Sequence, residues 1–165
     1  MSATSSLDLS DPVSIKGVRE FNAPVGLVFF AFTDPKHLTQ WWGPNGFSTT
    51  TSRFEFKPGG IWRFVMHGPD GRDYQNRVVF DEIETNRRIA YRHDGGEDDL
   101  EPVKFSQEVT FEDIGGGRTR VTWHGVFPDA EMRDFVIKTY GADKGLVETM
   151  ARLSDFVAGL ARPFP

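Results

Sequence analysis

The chain has no cysteine among its 165 residues. That excludes a disulfide framework, a thiolate zinc site and a cysteine nucleophile. It fits a reducing compartment, so a cytoplasmic location is expected. No apolar run approaches the ~20 residues that span a bilayer. The polar start from Met1 to Asp11 lacks the basic-then-apolar order of a secretory signal. No membrane partner is expected. Basic clusters are equally scarce: 24 acids outweigh 19 bases, the net charge is -5, and the densest basic run is Arg87-Arg88. Nucleic-acid binding calls for a basic face and is not expected.

Catalytic and cofactor signatures are also missing. There is no GxSxG elbow, no GxxxxGK[ST] loop and no GxGxxG ahead of a helix. The four histidines, His37, His67, His93 and His124, include no i, i+4 pair. No metal and no cofactor is expected, and the sequence points to no catalytic residue. Gly59-Gly60, Gly95-Gly96 and Gly115-Gly116-Gly117 read as turns, and Glu97-Asp98-Asp99 as a solvated acidic loop.

Aromatic residues, by contrast, are abundant, with 15 Phe and 4 Trp. Residues 1–12 are polar and Ser-rich and read as a mobile tail; residues 13–162 are the size of a single domain. Val13 to Phe21 suits a first strand. Beyond Ala23-Pro24, the spacing of Val28, Phe29 and Phe32 predicts a short helix over 25–33. Asp34-Pro35 opens a second short helix, which Gly43-Pro44 stops. Alternating segments then predict strands over 47–57, 61–67, 73–83, 88–93, 103–112 and 118–127. Asp129 is placed to cap a helix running through Thr139. A longer helix follows from about Lys144 to Ala161, its apolar stripe made by Leu146, Met150, Leu153, Val157 and Leu160.

This order predicts an α+β fold: a curved, seven-stranded antiparallel sheet against a long C-terminal helix, with two short helices after the first strand. The sheet face toward the helix carries Phe54, Trp62, Phe64, Met66, Tyr91, Phe111 and Trp123. Tyr74, Asn76, His93 and Gln107 add sparse polar groups there. Such a wall either fills the core or lines a small-molecule pocket. The candidate lining is completed by Trp41 and Trp42 at the helix end, by Phe47, and by Leu146 and Met150 on the helix floor. For Trp41-Trp42 the alternatives are a gate over the entrance and a cap on the core.

Several short motifs recur in an order that resembles a known family. They are Phe21-Asn22-Ala23-Pro24, Phe32-Thr33-Asp34-Pro35, Leu38 to Pro44, Phe56 to Phe64, and His67-Gly68-Pro69-Asp70-Gly71. The chain resembles the SRPBCC superfamily, whose helix-grip fold is shared by START lipid-transfer domains and the birch-pollen allergen. Within it, the likeness is to the family named after the activator of heat-shock protein 90 ATPase. The resemblance implies a sheet gripping the last helix, a hydrophobic cavity between them and a small apolar ligand. Many relatives carry Gly-Trp at the start of that helix, where this chain has Gly145-Leu146. The expected function is binding or carriage of a small hydrophobic molecule. The alternatives are a cyclase- or hydrolase-like enzyme on an aromatic or polyketide-like substrate, and a chaperone-cofactor interaction module. An edge strand offers a route to a homodimer.

Overall fold

The computed structural model describes residues 5–94 and 100–161. The first four residues, the Gly95-Gly96 pair, the run Glu97-Asp98-Asp99 and Pro163 lie outside the described residues.

The elements in chain order are β1 (Ser5–Asp8), β2 (Ser14–Phe21), α1 (Val25–Phe30), α2 (Pro35–Trp41), β3 (Ser48–Phe54) and β4 (Ile61–His67). They continue with β5 (Asp73–Glu84), β6 (Arg88–Asp94), β7 (Lys104–Gly115), β8 (Arg118–Val126), α3 (Ala130–Tyr140) and α4 (Ala142–Ala161). One antiparallel sheet has the order β1-β2-β8-β7-β6-β5-β4-β3. Strands β3 to β8 follow one another by hairpins. The pair α1–α2 carries the chain from β2, beside the last strand, to β3 at the far edge.

The sheet has eight strands where seven are expected. The additional one, β1, comes from the segment read as a mobile tail: Ser5 pairs with Arg19 and Asp8 with Lys16. Three polar residues and one exposed leucine carry no periodic signal, and backbone pairing needs none. The turn into β2 is built by side chains, with Asp8 Oδ1 accepting from Ser10 N (2.9 Å) and Asp11 Oδ1 from Val13 N (3.0 Å).

The helices begin where the chemistry of their caps places them. Asp34 accepts from Lys36 N with Pro35 in the first turn, and Asp129 accepts from Met132 N. Gly141, left-handed, separates α3 from α4. The first short helix ends at Phe30, sooner than its apolar spacing suggests.

Helix α4 lays its stripe on the sheet. Met150, Leu153 and Val157 are fully or almost fully buried, whereas Leu160 is exposed, a departure from the expected stripe. At the helix's first turns the approach to the sheet is close. A Cβ on Gly17 of β2 would lie 2.7 Å from Leu146 Cδ2, so any side chain there would displace the leucine from its seat on the strand.

The buried residues form two clusters. The larger gathers Phe21, Phe32, Trp41, Trp62, Phe64, Val109, Phe111 and Trp123 with the α4 stripe. The smaller joins Ile15, Val103, Phe127 and Val136, the last from α3. Leu146 packs against both. The two cores do not merge.

The opposite face of the sheet is laced with ion pairs. Arg88 reaches Glu82 and Glu108, Arg120 reaches Glu20 and Glu112, and Arg92 reaches Asp81. Glu82, Glu108 and Glu112 therefore serve the outer surface. Among the described residues, no helix is long and apolar enough to cross a membrane.

Candidate functional site

A cavity of about 330 Å³, partly open to solvent, lies where the two cores meet. Its size is at the small end of the ~300–1,000 Å³ typical of small-molecule sites. Phe64, Tyr91 and Trp123 bound it from the larger core; Ile15, Val103, Phe127 and Val136 bound it from the smaller. Leu146 lies on the helix side. The wall is thus mainly apolar, with polar groups at a few points.

The expected lining residues divide into two groups. Trp42, Phe47, Phe64, Met66, Tyr74, Tyr91, His93, Trp123 and Leu146 border the cavity. Trp41, Phe54, Trp62, Phe111 and Met150 do not, although they share its faces. Trp41 is completely buried and donates its indole N–H to Ala31 O at 3.1 Å; it caps the core. Phe54 stacks with Phe56 and meets Phe80 edge-on. Trp62 stacks on Phe64 with ring centres 4.0 Å apart. Phe111 is wedged against Phe29 and Phe32. Met150 lies under the helix, closed off from the cavity space.

The sequence reading overlooked one wall. Val136, Thr139 and Tyr140 of α3 border the cavity, as do Ile15, Phe127 and Glu101. The i, i+4 spacing of Val136 and Tyr140 was the available signal. Glu101 ties this wall together. Its Oε1 accepts from Tyr140 OH (3.0 Å) and from Arg72 Nη2 (2.8 Å). Arg72 also lies over the Tyr74 ring, 4.4 Å from its centre. Partial burial and the Glu101 hydrogen bond push the Tyr140 phenol up to about 12.

On the other side, Trp42 closes the end of α2. Its ring centre is 4.7 Å from that of Trp62 and 5.5 Å from that of Trp41. The turn that follows is held from α4. Arg152 Nη1 donates to Gly43 O (2.9 Å) and Pro44 O (3.1 Å), and Glu148 Oε1 accepts from Asn45 N (3.0 Å).

His93 is the one histidine bordering the cavity. Its Nδ1 lies 3.0 Å from Val103 O and its Nε2 2.7 Å from Asn76 Oδ1. Burial is the largest influence and lowers its pKa below the ordinary value, outweighing the Val103 carbonyl and the Asp94 carboxylate, which raise it. Both nitrogens face protein oxygens, and the neutral ring has one N–H to donate between them. Burial also drives the Tyr91 phenol well above its usual range. Among the described residues bordering the cavity there is no lysine or arginine, and the single carboxylate, Glu101, is already paired.

The family model for Activator of Hsp90 ATPase homolog 1-like protein matches residues 22–158. The chain belongs to this family. The match runs from the entry into α1 to near the end of α4, so the family's shared segment contains most of the cavity wall. No curated protein matches the chain. Solved structures share the fold over nearly the full length. A solution structure of a protein from Arthrobacter aurescens is 26% identical, with a TM-score of 0.85 over 95% of this chain and 93% of that one. Protein Ms6760 from Mycobacterium smegmatis is 22% identical, with a TM-score of 0.79 and 99% of each chain covered. Protein NE0264 from Nitrosomonas europaea is 22% identical, with a TM-score of 0.80 over 92% of this chain and 97% of that one. The α+β helix-grip architecture is therefore common to this chain and these relatives.

Proposed function

We propose that the protein binds or carries a small hydrophobic molecule in the cavity between the sheet and α4. The observation that carries this reading is the unfilled space itself. The two cores, bridged by Leu146, leave between them about 330 Å³ bounded by Trp42, Phe64, Trp123 and Leu146. A close-packed interior leaves few voids larger than a water molecule, so an apolar hollow of this size is costly unless something occupies it. The family membership agrees with the reading.

The enzymatic alternative calls for a titratable group free to meet a ligand. Both nitrogens of His93 face protein oxygens, Glu101 is committed to Arg72 and Tyr140, and burial keeps the Tyr91 phenol protonated. An interaction module calls for a broad exposed apolar face. The exposed large apolar residues Leu7, Phe30, Val126, Phe135 and Leu160 are scattered over different elements. A carrier in a reducing compartment also accords with the absence of cysteine.

Titration with the uncharged fluorophore N-phenyl-1-naphthylamine tests the reading. The wild type is expected to enhance its emission saturably at one site. Leu146→Trp places an indole in the hollow and is expected to abolish the saturable component. Absence of saturable binding to the wild type, or equal binding to the variant, overturns the proposal.

A further inference from the structure

Several polar groups around the cavity are satisfied within the protein. Asn76 and His93 hold each other, Thr149 donates to Gly145 O, and Tyr140 donates to Glu101. The Tyr74 and Thr139 hydroxyls, the Trp42 and Trp123 indole N–H groups, Tyr91 and Gln107 have no such partner among the described residues. Of these, Tyr91 and Gln107 stand as an adjacent pair on neighbouring strands. Neither the Tyr91 hydroxyl nor the Gln107 amide has a hydrogen-bond partner among the described residues, and neither is sealed in protein as an orphaned buried atom. Both residues border the cavity, and Tyr91 is only 8% exposed. They are also direct cross-strand partners, Tyr91 on β6 opposite Gln107 on β7, so their side chains rise from the same face side by side.

The sheet makes room for the amide. Gly125 of β8 is the residue paired with Gln107 on its other side. A Cβ there would lie 2.6 Å from Gln107 Oε1, so the absence of a side chain at 125 lets the amide lie over β8. Gly125 has no left-handed backbone that would itself call for glycine.

A donor or acceptor that faces a mainly apolar cavity and has no protein partner offers a ligand a hydrogen bond that it can complete. We propose that Tyr91 and Gln107 form the polar anchor of the cavity, and that its ligand is an uncharged, mainly apolar molecule carrying a hydroxyl or carbonyl oxygen. The phenol and the amide N–H donate to that oxygen, and the amide carbonyl accepts from a ligand hydroxyl. An anionic head finds no cation in the wall, and Glu101 disfavours it further. This inference rests on the ligand-binding reading above and adds the ligand's chemistry.

The test compares naphthalene, 2-naphthol and 2-naphthoate by titration calorimetry. Without an anchor, the hydrocarbon is expected to bind best, because it gains most from leaving water. With the anchor, 2-naphthol binds about tenfold more tightly than naphthalene, and 2-naphthoate binds more weakly than 2-naphthol. In Tyr91→Phe and in Gln107→Leu the naphthol-to-naphthalene ratio falls toward one. Near-ultraviolet circular dichroism confirms that each variant keeps its packed core. A wild-type ratio of one or below, a ratio that neither variant moves, or naphthoate binding as tightly as naphthol overturns the anchor and leaves the carrier reading standing. Failure of all three probes to bind overturns both.

Discussion

The guanidinium of Arg152 on α4 donates to the carbonyl of Gly43, 2.9 Å away, in the turn that follows Trp42. The same nitrogen reaches Pro44 O, and Nη2 approaches Gln40 O. One planar fork thus joins Gln40 O at the end of α2 to the Gly43 and Pro44 carbonyls of the turn that follows. Through this contact the helix fixes the tryptophan wall of the cavity.

Replacing Arg152 with Met keeps much of the aliphatic stem and removes the donors. The carbonyls then lose their partner in a half-buried site, at about 1–3 kcal/mol. For a domain of this size, each ~1 kcal/mol corresponds to roughly 2–4 °C in Tm. Lysine restores only part of the loss, because a single ammonium cannot serve the same fan of acceptors. Thermal unfolding of the two variants beside the wild type checks this, and an unchanged Tm contradicts it.

Two leucines of the α4 stripe are expected to behave differently. Leu153 is fully buried and Leu160 is exposed. Leu153→Ala should cost about 2–5 kcal/mol, and Leu160→Ala should stay within about 0.5 kcal/mol. Denaturant titrations give both values. Equal losses would mean that the end of α4 is covered in solution.

The state of His93 should show in the pH dependence of stability. Burial lowers its pKa below the ordinary 6.5 in the folded protein. Between those two values the unfolded chain binds a proton that the folded chain refuses. Stability is therefore full above about pH 6.5 and declines as the pH falls toward the folded value, with a slope of up to about 1.4 kcal/mol per pH unit. In His93→Gln this component of the slope disappears. Unfolding measured between pH 7.5 and 5.5 tests the difference; parallel curves for the two proteins would sink it.

The neighbouring indoles should report a ligand unequally. Trp42 borders the cavity, and Trp41 is sealed behind it, bonded to Ala31. Phenylalanine at 42 should remove part of any ligand-induced change in tryptophan emission and leave the part contributed by Trp123, the other indole bordering the cavity. Phenylalanine at 41 should leave that change in place and instead lower stability by about 1–3 kcal/mol through the unpaired Ala31 carbonyl.

Local structure was legible in short-range signals. The alternation of Trp62, Phe64 and Met66 between two turns places β4 at Ile61–His67, as observed, and Asp129 marks the start of α3. Alternation also assigns each side chain to a face of the sheet. It does not say how far along that face the core ends. Trp62 and Phe64 are two residues apart on one face, yet only Phe64 reaches the hollow. The α3 wall was hidden for a related reason: its docking over Ile15 and Phe127 is a long-range contact with no local signature beyond one i, i+4 pair. Strand β1 was hidden because backbone pairing leaves little trace in four residues, three of them polar.

The borders of the sheet are where a strand from a second copy would have to pair. One border is β1, only four residues long. The other is β3, where the pairing register with β4 shifts between Thr51 and Arg53 and a charged guanidinium stands beside the irregularity. A brief ribbon on one flank and a kinked, charged one on the other make poor templates for an incoming strand. The fold therefore carries its own deterrent to fibrous self-association, independent of whatever occupies its interior.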